Sequence, residues 1–174
     1  MSNKAYKEVV RIFKIIKKNN KFLKKLNLHE PFFNKDEYLE LKNCLQSTFV
    51  SSSGNFLNKF SNSIKNKTNA RYVIPLINGT SAIHLSLIAL GLEKNQEVLM
   101  PTLNYVASAN ATIYLNGIPH FIDSEENTLG VDAKKLETYL KKKTKIKNKK
   151  CVNKDTGNVI KILIVTHVFG HPSE

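Results

Sequence analysis

The chain has 174 residues, enough for one domain with a real core, and its 41% hydrophobic content supports a globular fold. No apolar run reaches the roughly 20 residues that span a bilayer, and the N-terminus lacks the continuous apolar stretch of a secretory signal, so the expected compartment is the cytoplasm. The formal charge of +13 is concentrated in two places, with nine Lys/Arg against one acid in residues 1–25 and seven Lys without an acid in residues 141–150, which leaves the rest near neutral. Only Arg11 and Arg71 are arginine. Planar, bidentate recognition of bases and phosphates favours Arg over Lys, so nucleic acid is not an expected partner.

Tyr6 to Lys18 carries Val9, Ile12, Phe13 and Ile16 at the spacing of one helical face, with Lys on the other. This basic amphipathic helix suits packing on its own domain or a second subunit, or contact with an anionic membrane surface. Pro31 breaks the pattern, and helices are expected over Asp36 to Gln46 and, after the small polar turn Phe49 to Gly54, over Asn55 to Lys65. A regular alternation follows: strand Arg71 to Ile77, helix Ser81 to Leu90 stopped by Gly91, strand Glu97 to Met100, helix Tyr105 to Leu115, strand Ile118 to Ile122, helix Asp132 to Lys142 and strand Val159 to Thr166. Strands alternating with helices of this length imply an α/β fold with a mainly parallel sheet and flanking helices. The Lys141 to Asn158 stretch reads as a solvated surface insertion. The domain expectation is an N-terminal helical segment over 1–66 and an α/β domain over 67–174.

In such sheets, ligands sit outside the strand ends where loops lead into helices. Asn78 to His84 (NGTSAIH) falls at such a junction, where the first N–H groups of a helix lack internal partners and the helix dipole is positive. Gly79 would allow a sharp turn and close approach, and Thr80 and Ser81 would add hydroxyl donors. The same residues also make an ordinary N-cap. Tyr105, at the start of the next helix, could stack on a flat ligand or pack in the core. His84 is expected to be a packed histidine. His167 and His171 have the i, i+4 spacing of a metal pair but no evident third ligand, so no metal is assigned. Cys44 and Cys151 read as reduced structural thiols.

Taken in order, LHEPFF (28–33), FVSSSGNFLNKF (49–60), INGTSAIHLSLIALGL (77–92), EVLMPTLNYVASANATIYLNGIPHFID (97–123) and HVFGHP (167–172) resemble the DegT/DnrJ/EryC1/StrS sugar aminotransferases. The variants are most similar to the branch acting on UDP-linked 4-keto-6-deoxy sugars of the bacillosamine and legionaminic acid type. The resemblance implies the N-terminal part of a fold-type I transferase large domain with pyridoxal 5'-phosphate as cofactor. It implies that Gly79, Thr80 and Ser81 hold the cofactor phosphate, that Tyr105 stacks on its ring, and that Ser51, Ser52 and Ser53 lie near the sugar nucleotide. Asn104 stands where the family commonly has Thr, and HVFGHP is implied to be a structural turn near the cofactor.

The resemblance further implies glutamate as amino donor, a nucleotide-linked keto sugar as acceptor, and a homodimer in the full-length form. The family's cofactor-binding lysine and the acid facing the ring nitrogen lie beyond HVFGHP. No catalytic residue is therefore assigned in these 174 residues; Asp123 and Asp132 match a strand end and a helix start. The expectation is a truncated form that does not catalyse alone, with a non-catalytic binding or regulatory remnant as the alternative.

Overall fold

The structure is a computed structural model describing residues 3–19 and 31–173. It falls into two compact units, Met1–Phe60 and Ser61–Glu174. The expected LHEPFF match lies outside the described residues over Leu28 to Glu30.

In the first unit, α1 (Asn3–Asn19) forms where the basic amphipathic helix is expected, with Ile12, Phe13 and Ile15 each about half exposed. Next, α2 (Lys35–Gln46) starts at a capping box: Asn34 Oδ1 accepts the Asp36 N–H at 2.6 Å and the Glu37 carboxylate accepts the Asn34 N–H at 2.8 Å. The Ser51 to Ser53 turn leads into α3 (Asn55–Thr68).

The second unit is built around β1 (Glu97–Pro101), a strand buried along its whole length. Its neighbours β2 (Ile118–Ile122) and β5 (Ile160–Leu163) both run parallel to it, giving the order β2-β1-β5. Successive residues of a strand face opposite sides, so β1 feeds two cores. Val98 and Met100 pack with Leu87 of α4 (Gly79–Ala89) and Ala111 of α5 (Ala107–Tyr114). On the other face Leu99, Ile122 and Val131 pack with Leu136 and Leu140 of α6 (Ala133–Lys143). Helices on both faces of a parallel sheet explain why β1 is apolar at consecutive positions.

One expectation fails and another is refined. Arg71 to Ile77 is not a strand, although its residues suit one. A strand needs a pairing partner, and this segment pairs with none of the described strands, which leaves Tyr72, Ile74 and Ile77 exposed. Lys141 to Asn158 is largely exposed, as a solvated stretch should be, but it carries regular structure. It extends α6 and then forms an antiparallel hairpin of β3 (Thr144–Lys147) and β4 (Lys150–Asn153). Asn148 and Lys149 both adopt positive φ (51° and 60°), the geometry of a two-residue hairpin turn whose twist matches its strands.

The hairpin is fastened to the base of the sheet by Glu97, which is 1% exposed. Its carboxylate accepts from Asn153 Nδ2 at 3.0 and 3.2 Å and from the Thr156 hydroxyl, and meets His120 Nδ1 of β2 at 2.5 Å. His120 Nε2 lies 2.8 Å from the Tyr139 hydroxyl of α6. Burial by itself would push the Glu97 carboxyl up, but the hydrogen bonds from Asn153, Thr156 and His120 hold it below the usual carboxylate range.

Candidate functional site

The α4 helix ends in a Schellman turn: the Gly91 N–H bonds Ile88 O at 2.9 Å, the Leu92 N–H bonds Leu87 O at 3.0 Å, and Gly91 takes φ 69°. This turn reverses the chain into β1. The N-terminus of α4 therefore stands at the same end of the sheet as the C-terminal end of β1, from which the loop to α5 departs.

At that end the helix begins at Gly79, two residues earlier than expected, and its N-cap is Asn78. Asn78 Oδ1 accepts the Ser81 N–H at 2.8 Å, and Asn78 O accepts the first helical bond from the Ala82 N–H at 3.1 Å. The Gly79 and Thr80 N–H groups have no hydrogen-bond partner among the described residues, nor do the Thr80 and Ser81 hydroxyls. Gly79 does not supply a sharp turn, since its φ is outside the left-handed region; a Cβ there would meet nothing within 4 Å. Its contribution is an open approach to the helix end. Two backbone donors, two hydroxyls and the positive end of the dipole form a donor set suited to a phosphate group.

The loop after β1 is pinned to the next strand by Thr102, whose N–H and hydroxyl both donate to Ile122 O at 2.9 and 2.8 Å. Further along, Asn104 Oδ1 accepts from the Ser108 hydroxyl of α5 at 3.3 Å and from the Thr166 hydroxyl at 3.2 Å. Its Nδ2 is buried with no partner among the described residues. Asn104 thus ties the exits of β1 and β5 together through its one amide oxygen.

Tyr105 precedes the first turn of α5, and Ser108 donates its N–H to Tyr105 O at 3.3 Å. The side chain is 79% exposed, so core packing is not its role here, and its ring remains available at the same sheet end as Gly79 to Ser81. His84 packs edge-on to Tyr114, with ring centroids 6.0 Å apart. His167 Nδ1 accepts the Ser173 N–H at 3.0 Å and the Ser173 hydroxyl donates to Thr166 O at 3.2 Å, closing the turn through Val168–Gly170. A side chain at Gly130 would collide with Ser173, which fixes glycine there. Ser51, Ser52 and Ser53 lie in the first unit as an exposed turn, with Ser51 and Ser53 Oγ 3.4 Å apart.

Residues 31–174 match the DegT/DnrJ/EryC1/StrS aminotransferase family. The chain belongs to this family. Among curated members it is 32% identical to a GDP-perosamine synthase of Escherichia coli O157:H7, over 87% of this chain and 37% of that protein. It is 33% identical to the 3-oxo-glucose-6-phosphate:glutamate aminotransferase of Bacillus subtilis, over 63% of this chain and 26% of that protein. The chain thus spans about a third of the length of the curated DegT/DnrJ/EryC1/StrS relatives it matches. The crystal structure of NtdA from Bacillus subtilis with bound cofactor PMP superposes with a TM-score of 0.64 at 25% identity, covering 87% of this chain and 33% of that one.

Of the residues singled out in the sequence, Gly79, Thr80, Ser81 and Tyr105 come to one end of the sheet. Sequence reasoning missed Asn78 as the cap. An Asn directly before Gly-Thr-Ser was the available signal, since Asn is among the preferred N-cap residues.

Proposed function

We propose that this chain carries the phosphate-anchoring part of a pyridoxal-phosphate-dependent sugar aminotransferase. The observation that carries the reading is the pair of N–H groups at Gly79 and Thr80 with no partner among the described residues, flanked by the Thr80 and Ser81 hydroxyls, with open space beside the Gly79 Cα. These four donors would hold the cofactor phosphate, while the Tyr105 ring restricts the tilt of the pyridine ring. When bound, the cofactor supplies the electron sink through which nitrogen passes from amino donor to sugar. Asn78 keeps the Ser81 N–H engaged and so orients the first turn toward the ligand, and Asn104 holds the loop that carries Tyr105.

The acceptor in this reading is C4 of a nucleotide-linked 4-keto-6-deoxy sugar, with the Ser51 to Ser53 turn near the sugar nucleotide, in a cytoplasmic homodimer. Its N-terminal helical segment is 1–66 and its cofactor domain starts at 67. Glutamate is the amino donor, a reading supported by the name of the Bacillus subtilis relative.

The test compares pyridoxal 5'-phosphate with pyridoxal, which lacks the phosphate, by absorbance and equilibrium dialysis on the whole chain. Phosphate-dependent binding that weakens roughly tenfold in the Thr80→Val, Ser81→Ala double variant is expected from the loss of hydrogen bonds to a charged group. Equal retention of the two compounds, or an unaffected double variant, would remove the turn from the cofactor site. Binding of the cofactor without amino transfer when glutamate and a keto sugar nucleotide are supplied would favour a binding remnant.

A further inference from the structure

The β3–β4 hairpin breaks a local rule. Its register sets Lys147 directly opposite Lys150, and like charges facing each other across an antiparallel pair destabilise it. Lys145 lies two residues from Lys147 and so on the same face. Acids are present nearby but are committed elsewhere: Glu137 pairs with Lys141 at 2.6 Å and Asp155 with Lys143 at 2.6 Å. Among the described residues Lys145, Lys147 and Lys150 form no ion pair, and Lys154 Nζ bonds the Lys142 carbonyl at 2.7 Å and no acid.

These lysines are also not spread over a convex surface. Lys145, Lys147, Lys150 and Lys154 line one concavity of about 350 Å³, floored by Val152 and Val159, and no acidic residue lines it. The floor is rigid, because Val152 bridges to Val159 and the neighbouring Asn153 is locked to buried Glu97. Like charges gathered around a cavity raise its potential and lower the cost of bringing in an anion. Lysine contributes point charges without the planar fork that reads a particular base or carboxylate. A site of this size, with four cations and an apolar floor, suits a compact ligand carrying several phosphate charges better than a single small anion.

We propose that the hairpin concavity is a binding site for a compact polyphosphate anion. It lies at the N-terminal end of β1, the end of the sheet opposite the Gly79 turn, and is therefore a second phosphate site independent of the cofactor. Its ligand carries several phosphate groups, either as a free metabolite such as a nucleoside di- or triphosphate or as the multiply phosphorylated headgroup of a phosphoinositide lipid.

Inorganic tripolyphosphate is the first probe, used on the whole chain with melting temperature and isothermal titration as readouts. The decisive variant is Lys147→Glu, because it turns the repulsive pair with Lys150 into an attractive one and should raise the melting temperature of the free chain. The expected result is a tripolyphosphate-induced rise in melting temperature for the parent chain, exceeding that from sodium chloride at equal ionic strength, with binding roughly tenfold weaker in the variant. Co-sedimentation with phosphatidylcholine vesicles containing phosphatidylinositol bisphosphate, against phosphatidylcholine alone and against competing ATP, separates the two carriers. No response of the parent beyond the salt control would leave the lysines as protection of an edge strand and overturn the proposal. A response undiminished in Lys147→Glu would overturn it too, since binding would then lie at another site such as the Gly79 turn.

Discussion

Glu97 and His120 meet at 2.5 Å across the parallel β1–β2 pair, where the carboxylate of the central strand is nearly sealed from solvent. With Asn153 and Thr156 on the same carboxylate, one side chain joins two strands, the hairpin and its exit loop. Stability should therefore depend on pH through this group. Its folded pKa lies below the unfolded value of about 4.5, so its contribution is complete above that value and is lost as pH falls through the lower, folded pKa. Urea midpoints should fall between neutral and acid pH, and Glu97→Ala should cost about 3 kcal/mol at neutral pH by leaving His120 and Asn153 without their partner. The variant should also show a shallower acid loss than the parent. A parallel pH profile in the two proteins would contradict this role.

The cap at Asn78 is measurable separately from ligand binding. Asn78→Ala removes the bond to the Ser81 N–H and should lower stability by about 1 kcal/mol, read as a drop in melting temperature. Asn78→Ser, which can restore the bond, should recover most of that loss.

Gly91 tests the C-terminal end of the same helix. A Cβ at this position would touch nothing within 4 Å, so any cost of Gly91→Ala is conformational and follows from the positive φ of 69°. We expect a loss of about 1 kcal/mol by chemical denaturation, with Gly91→Asn milder because Asn tolerates this region. Equal costs for the two substitutions would point to packing.

Leu85 and Leu87 separate the faces of α4. Leu87 is 1% exposed and touches the sheet, whereas Leu85 is 44% exposed. Leu87→Ala should cost about 3 kcal/mol through lost burial and the cavity left behind. Leu85→Ala should cost less than half as much in the same urea titration.

Cofactor anchoring predicts a split between stacking and phosphate effects. Tyr105→Phe should preserve binding of pyridoxal 5'-phosphate, because the ring face remains, while Tyr105→Ala should weaken it about fivefold. Both variants should melt like the parent, given the exposure of this side chain.

Much of this architecture was legible from residue order. The apolar runs at Glu97 to Met100 and Ile118 to Ile122, and the Gly91 stop, are local signals, and each appears close to its expected place. What could not be read locally was pairing. Arg71 to Ile77 has strand-like residues, but a strand is a relation between two segments. The Lys-rich run hid the hairpin because its charge masked the alternation that sets Thr144 and Ile146 opposite Asn153 and Cys151 around a tight turn. Buried Glu97 was invisible for a related reason: its partners His120, Asn153 and Thr156 lie 23, 56 and 59 residues away. At the candidate site, the strand–helix order already brings Gly79 to Ser81 and Tyr105 to one end of the sheet, whereas the capping role of Asn78 needs the helix start to be known.

The strand order also dictates a timetable. β1 is central, yet its second neighbour β5 is made after α5, β2, α6 and the whole hairpin. At translation rates of about 5–20 residues per second, one edge of β1 stays unpaired for on the order of several seconds after it leaves the ribosome. During that interval α4 and α5 can already cover one face of the strand, while its hydrogen-bonding edge remains open to any extended peptide nearby. Assembly of this sheet is thus a race between the arrival of Ile160–Leu163 and capture of that edge by something else.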